Sequence, residues 1–455
     1  MSTISPPIAP PRVSTAPATL ERSLNVTAVT MFGLAYLAPL IVLGTFGVIA
    51  EASAGTSASA YLLSMVVMVF TALSYGKMVV AYPVAGSAYT YVRRAINSRV
   101  GFLVGWAILL DYFFIPMVIW LIGAAFLSAA FPAVPVWIWI VGFIAITSVL
   151  NVIGIRLAAN VNLLLMAFQL LVLAIFVVLS IVNVSGGGGS LMSAAPWVNT
   201  STTLAGVVGG AALAAYSFLG FDAVTTLTEE TVDPKKTLPR AIMLVILIGG
   251  GLFVLTAYTT QLVHPGGHFK DVDSAALDIA KTIGTQLFAS IFLAGLILAQ
   301  FTAGLSAQAA VSRLLYAMGR DGVLPKKIFG YCSPRFRTPV LNILLAGVTG
   351  LIALKLTVAT STSFINFGAF TAFTFVNLSV IALYLRGKRD GGFGQILTDV
   401  VGPALGAVSS VWLLLSLDAP AKTLGLIWLV IGIAYLAYLT KFFRIAPPET
   451  RGVVE

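Results

Sequence analysis

The stretch MFGLAYLAPLIVLGTFG, residues 31–47, is apolar almost throughout, yet it carries Gly33, Pro39, Gly44 and Gly47. An apolar run of this kind belongs to a membrane-crossing helix, which needs about 20 such residues. Proline removes a backbone donor and clashes with the preceding turn, and glycine lowers the cost of leaving the helix. The run therefore predicts a membrane helix interrupted near its middle. A second stretch reads the same way: AAYSFLGFDAVTTLTEET, residues 214–231, places Gly220 between Phe218 and Phe221, immediately before Asp222. The alternative for both is that glycine merely permits close helix packing.

The rest of the chain fixes the setting. Of 455 residues, 59% are hydrophobic and 9% are Asp, Glu, Lys or Arg, against roughly 25% charged in soluble domains. Too few charges exist to cover a water-soluble surface, which excludes a soluble enzyme, a nucleic-acid binder and a disordered chain. Apolar stretches recur at about 24–50, 59–81, 100–128, 136–154, 160–184, 204–228, 240–262, 283–312, 339–355, 363–385, 400–417 and 423–443. They predict an all-α integral membrane protein of twelve transmembrane helices, the ninth and eleventh short. Residues 1–20, rich in Pro, Ser and Thr, read as a disordered tail.

Placing the N-terminus in the cytoplasm leaves only Lys270, Lys281, Lys355 and Lys422 outside, so 22 of the 26 basic residues lie inside. Cytoplasmic loops of bacterial membrane proteins carry this excess. The arrangement predicts both termini cytoplasmic and explains the net charge of +10 without nucleic acid. The outer loop 264–281 holds His264, His268, Asp271, Asp273 and Asp278; it reads as a solvated face rather than a metal site. One cysteine, Cys332, excludes a disulfide framework and a cysteine metal centre. Neither histidine is in a span, so no nucleophile–base pair or metal constellation of an intramembrane enzyme is present, and no cofactor is expected. No ring of pore-lining charge suggests a channel.

Two carboxylates sit inside predicted spans: Asp111, in LLDYFFIP (109–116), and Asp222. A charged carboxylate at the bilayer centre costs about 2.5–3.5 kcal/mol on insertion scales. Each must face a cavity, a cation or a hydrogen-bonding helix neighbour, and the last reading stays open for both.

Three basic-side segments carry a resemblance: YPVAGSAYTYVRRAI (82–96) leading to GFLVGW (101–106), GFDAVTTLTEETVDPKKTLPRAI (220–242) and SRLLYAMGRDGVLPKKIFGYCSPRFRTP (312–339). In these the chain resembles the amino acid–polyamine–organocation transporters over essentially its whole length. Through GLAYLAPL (33–40), LLDYFF (109–114), YSFLGFDAVTTL (216–227) and INFGAFTAFTFVNLSV (365–380) it is most similar to bacterial putrescine importers. The resemblance implies a LeuT-like fold: a first inverted five-helix repeat over 21–184, a second over 204–385, peripheral helices over 400–443 and a cytoplasmic tail over 444–455. It implies alternating access around a central site at broken helices 1 and 6.

Carried over by residue, Gly33, Leu34, Ala35 and Tyr36 form the first break, and Phe218, Leu219 and Gly220 the second. Tyr216 matches the aromatic gate and Asp222 the acidic residue six positions later. An organic ammonium leaving water needs carboxylates, carbonyls or aromatic faces, which Asp222, Asp111, Tyr36, Tyr112 and Tyr216 supply. Gly33-Leu34-Ala35 departs from the Gly-Ser-Gly-like turn by which amino-acid carriers hold a substrate carboxylate. Two further departures matter. Gly44 stands where the putrescine importers carry an acid, which keeps a monoamine open. Gln169 stands where proton-coupled members carry a lysine. The coupling proton then rides on Asp222 or Asp111, or a sodium ion sits near Thr302 and Ser306. Glu229 and Glu230 are read either as an inner gate or as interfacial charges. The expected function is secondary-active import of small organic amines, putrescine-like polyamines first, with cationic or neutral amino acids as the rival substrates.

Overall fold

The computed structural model describes residues 22–84, 87–154, 159–187, 189–320, 324–387 and 392–445. The predicted tail over 1–20 and the end of the chain after residue 445 lie outside them. Apart from one isolated bridge, Leu24 to Thr231, the described residues are helices, turns and loops. The long helices are α1 (Val26–Leu37), α2 (Ser57–Ala81), α3 (Ser98–Ala130), α4 (Val136–Ile153), α5 (Ala159–Gly186), α6 (Leu204–Ala214), α7 (Pro234–Val263), α8 (Gln286–Arg320), α9 (Val340–Gly350), α10 (Val358–Arg386), α11 (Gly402–Leu415) and α12 (Ala419–Leu439). Counting the short helical pieces that extend α1, α6 and α11, eleven segments are long and apolar enough to cross a bilayer. The predicted ninth span falls short: α9 and its 3-10 continuation cover only Val340–Lys355.

The helix ends follow from local chemistry. Asn25 caps α1 by accepting from the Ala28 amide at 2.9 Å, Asn97 caps α3 through the Val100 amide at 2.9 Å, and Thr203 caps α6 through Gly206 at 3.0 Å. Each satisfies one of the first-turn amides that no helical carbonyl reaches. The bundle is built chiefly from α2 against α7, α3 against α8, and α10 against both α3 and α11. Close approach is made by small residues, as membrane helices require: a Cβ on Gly76 would meet Pro239 at 3.1 Å. α12 is locked to α3 by a reciprocal pair in which each indole N–H of Trp106 and Trp428 donates to the other's carbonyl at 2.8 Å.

Long-range contacts segregate to two ends. At one, the Ser23 and Leu24 amides donate to the Glu230 carbonyl at 2.9 and 3.0 Å, Lys77 pairs with Asp399, and Arg386 donates to the Ile96 carbonyl at 2.9 Å. At the other, Ser59 donates to the Trp197 carbonyl at 2.7 Å and Asn199 to Ala54 at 2.9 Å. These are the basic and the non-basic ends of the bundle.

On the non-basic end, Glu51 and His268 line a cavity of about 370 Å³ with Asn199 and Gln261. His264 stacks on Phe269, ring centroids 4.5 Å apart. Burial first, then the neighbouring Asp271 and Glu51 charges, push Asp273 up to about 6. The folded state thus holds that proton more tightly than the unfolded chain. Its contribution to stability is complete below the ordinary carboxylate range and is lost as pH rises through 6. Asp273→Asn removes the penalty. We expect it to raise the melting temperature of purified protein at pH 8 and leave it unchanged at pH 3, below the ordinary carboxylate range. The ceiling is about 3 kcal/mol for a shift of roughly two units, reduced by solvent screening. An equal change at both pH values overturns this assignment.

Candidate functional site

α1 stops at Leu37 because the chain cannot continue through Ala38-Pro39. Ala38 adopts the left-handed conformation, φ 48° and ψ 81°, and its amide donates to Ala35 at 3.3 Å rather than to Leu34. Pro39 has no N–H for Ala35. The Leu34 carbonyl consequently loses its helical donor at mid-span. Helix resumes as the short segments Ile41–Gly44 and Phe46–Ala52.

The second interruption is sharper. α6 tightens into a 3-10 turn over Ala215–Phe218, Leu219 becomes extended (ψ 135°), and Gly220 takes φ +101° before a second 3-10 segment, Phe221–Leu227. Only glycine adopts that conformation readily. A second constraint coincides there: a Cβ on Gly220 would run into the ring of Tyr36. Tyr36 therefore packs against Gly220, and the two interruptions touch. They are also tied from behind by Tyr61, whose hydroxyl lies 3.2 Å from Ser217 Oγ and 3.4 Å from Thr45 Oγ1. Asn366 on α10 donates to the Ala212 carbonyl at 2.7 Å and holds the end of α6 in place.

Around that contact the acidic and aromatic residues converge. Asp222 accepts from the Tyr75 hydroxyl at 3.3 Å. Tyr75 itself is fixed in an edge-to-face cluster with Tyr91, Phe221 and Phe373, centroids 5.5–6.2 Å apart. Asp111 lies within electrostatic reach of Asp222, Tyr36 is within reach of both, Tyr112 likewise, and Tyr216 is within reach of Asp111. Asp111 makes no hydrogen bond among the described residues, and its Oδ1 is buried without a partner. That removes the helix–helix hydrogen bond left open by the sequence for Asp111. For Asp222 such a bond exists, to Tyr75. Pro116 stands inside α3, so the Tyr112 carbonyl also lacks its helical donor.

Electrostatically the group is unbalanced. The described residues form three ion pairs, Lys77–Asp399, Lys236–Asp233 and Lys281–Asp278, and neither Asp111 nor Asp222 belongs to one. Tyr36 remains 42% exposed although it packs on Gly220 and faces both carboxylates. Two carboxylates, tyrosine faces and freed carbonyls, with no cationic side chain paired to them among the described residues, are the groups that a positive charge needs on leaving water.

Other sequence candidates stand apart from this group. Phe218 is fully buried and packs edge-to-face on Phe253 at 5.3 Å, and Leu219 is buried as well; these two can offer only backbone. Gly33 packs against Val245 and Val224, with no room for a Cβ. Gln169 is buried with an unpartnered Oε1. Thr302 Oγ1 donates within its own helix, to Leu298 at 2.9 Å and Ala299 at 3.1 Å, and Ser306 is exposed. Glu229 and Glu230 are not ion-paired among the described residues. The Glu230 backbone instead anchors the start of the chain. Gly44 faces Ile122 and the Gln300 amide. Sequence reasoning missed Tyr61, Tyr75 and Asn366, whose only signal was a polar atom in an apolar span.

Comparison with known proteins is decisive for the family. Residues 28–380 match the family described as Amino acid permease. The chain belongs to that family, within the amino acid–polyamine–organocation superfamily. It is 39% identical over 441 residues to the low-affinity putrescine importer PlaP of Escherichia coli strain K12, covering 95% of this chain and 97% of that one. It is 29% identical to the branched-chain amino acid permease BcaP of Lactococcus lactis subsp. cremoris, over 83% of this chain and 86% of the relative. Identity to human cationic amino acid transporter 4 is 28%, over 81% and 61%. The family and these relatives are membrane transporters rather than enzymes.

Proposed function

We propose that the protein is a secondary-active importer of small organic amines, with a putrescine-like diamine as the first candidate substrate. The single observation that carries the reading is the Asp111–Asp222 pair, ion-paired to no side chain among the described residues and set beside Tyr36 at the contact of two interrupted helices. A diammonium chain replaces its lost hydration with two carboxylates there. The pair also answers the absence of an acid at Gly44, since two anionic groups are available without it. The 39% identity to a putrescine importer supports the same substrate class.

Helices five apart pack on one another: α1 on the segment after α6, α2 on α7, α3 on α8 and α4 on α9. This pattern supports two five-helix repeats, 21–184 and 204–385, with α11 and α12 peripheral, and rocking between them as the transport step. The substrate binds among Gly33–Tyr36, Asp111, Tyr112, Tyr216 and the Phe218–Asp222 backbone, with Tyr216 and the Glu229–Glu230 segment as gates. The excess of basic residues on one side supports cytoplasmic termini and a bacterial inner membrane. Gln169 does not titrate, so a carboxylate of the pair carries the coupling proton, and a sodium site near Thr302 and Ser306 is the alternative. The amino-acid reading has support in the names of two relatives.

Uptake of radiolabelled putrescine into vesicles, with lysine, leucine, alanine and monoamines as competitors, tests the proposal. Putrescine and other amines are expected to compete best, and uptake is expected to survive sodium replacement and to stop with an uncoupler. If an amino acid competes best and putrescine not at all, the amine reading fails. Strict sodium dependence overturns the proton assignment.

A further inference from the structure

At the basic end of the bundle, a pocket of about 390 Å³ lies between the end of α4, the C-terminal part of α8 and the loop 331–339 that leads into α9. Arg313 of α8 and Arg337 of the loop both line it, together with Ser312, Tyr316 and Asn151. None of the lining residues is acidic. Neither guanidinium group has an ion-pair, hydrogen-bond or aromatic partner among the described residues, whereas the neighbouring Arg335 lies over the Phe336 ring, 5.3 Å from its centroid.

The loop is built to hold Arg337 in place. Thr338 Oγ1 donates to the Val152 carbonyl at 2.8 Å, which ties the loop to α4. The Ser333 amide donates to Thr338 at 2.9 Å and the Arg337 amide to Ser333 at 2.8 Å. Asn342 donates to the Ser312 and Phe329 carbonyls at 3.3 and 2.9 Å and fixes α9 to α8. Within this closed turn Arg337 has φ 54°, the left-handed region, which costs a non-glycine residue about 1–2 kcal/mol. A strained residue held by a surrounding network marks a position with a purpose. Two arginines lining one pocket with no carboxylate among its described lining residues leave it positively charged, which favours an anion there. Their planar forks match phosphate oxygens two at a time.

We propose that this pocket binds a phosphate group carried by a molecule of net negative charge, held between Arg313 and Arg337. Its position at the basic end suits the headgroup of an anionic phospholipid, and a free phosphate has the same chemistry. The site is separate from the Asp111–Asp222 group and does not depend on its assignment.

The test uses purified full-length protein in a neutral detergent at low salt, with thermal stability as the readout. Short-chain phosphatidylglycerol, short-chain phosphatidylcholine and inorganic phosphate are titrated separately. Phosphatidylglycerol is expected to stabilise the parent protein, and phosphatidylcholine not to. Arg313→Gln and Arg337→Gln are each expected to raise the half-saturating concentration at least tenfold. Stabilisation by phosphatidylglycerol alone assigns a lipid headgroup; stabilisation by inorganic phosphate as well assigns the phosphate group itself. Equal responses to both lipids, or glutamine variants that respond like the parent, overturn the proposal. Should the variants not be obtained folded, the salt dependence of the parent decides. The half-saturating concentration must rise at least tenfold between 50 and 300 mM sodium chloride, and a salt-independent response overturns the site.

Discussion

Asp222→Asn is expected to abolish uptake of radiolabelled putrescine while leaving the protein in the membrane in normal amount. Asparagine keeps the side-chain volume and an oxygen for the Tyr75 hydroxyl, now 3.3 Å from the carboxylate, so the local fold has no reason to change. What disappears is the charge. An ammonium that has left water then meets a dipole where it met an anion, in surroundings where the interaction is poorly screened. A hundredfold loss or more, about 2.7 kcal/mol at 1.4 kcal/mol per tenfold, is the expected size. Putrescine uptake within threefold of the parent, at equal membrane abundance, would remove Asp222 from the site. Asp111→Asn is expected to act in the same direction, because that carboxylate has no protein partner to release.

Gly220→Ala is the second large effect, and its origin is steric. The alanine must hold φ +101°, and its methyl occupies the place of the Tyr36 ring. Backbone strain contributes about 1–2 kcal/mol and overpacking about 1–3 kcal/mol. We expect a clear fall in melting temperature and at least a tenfold loss of uptake. Shortening Tyr36 in the same protein relieves the collision but not the backbone strain. Gly220→Ala combined with Tyr36→Ala should therefore recover part of the lost stability relative to the sum of the single changes. Strict additivity would show that Tyr36 and Gly220 do not touch in the folded protein.

Much of the site was legible in the residues. Asp111 and Asp222 stood out because carboxylates are costly in hydrocarbon, and Pro39, Gly33 and Gly220 because they weaken helices. Other features had no local signature. Tyr75 and Tyr61 read as ordinary aromatic residues of an apolar span. Their roles, one donating to Asp222 and the other tying both interruptions, come from how α2 packs. The open alternatives for Asp111 and Asp222 looked alike in sequence and separated only in three dimensions, where one oxygen found Tyr75 and the other found nothing. Thr302, a cation ligand by position, donates its hydroxyl hydrogen within its own helix, which leaves its oxygen lone pairs unengaged.

Amino-acid order alone established that the chain crosses a membrane many times, where its helices lie and which two of them are weakened. These properties follow from transfer energies and backbone preferences that act over a few residues. The packed bundle decided that the two weak points meet, that Tyr36 closes against Gly220, and that Asp111 and Asp222 lie within electrostatic reach of each other. Those relations join residues more than a hundred positions apart. They depend on which helices lie side by side, a matter of shape complementarity between whole surfaces that no short stretch encodes.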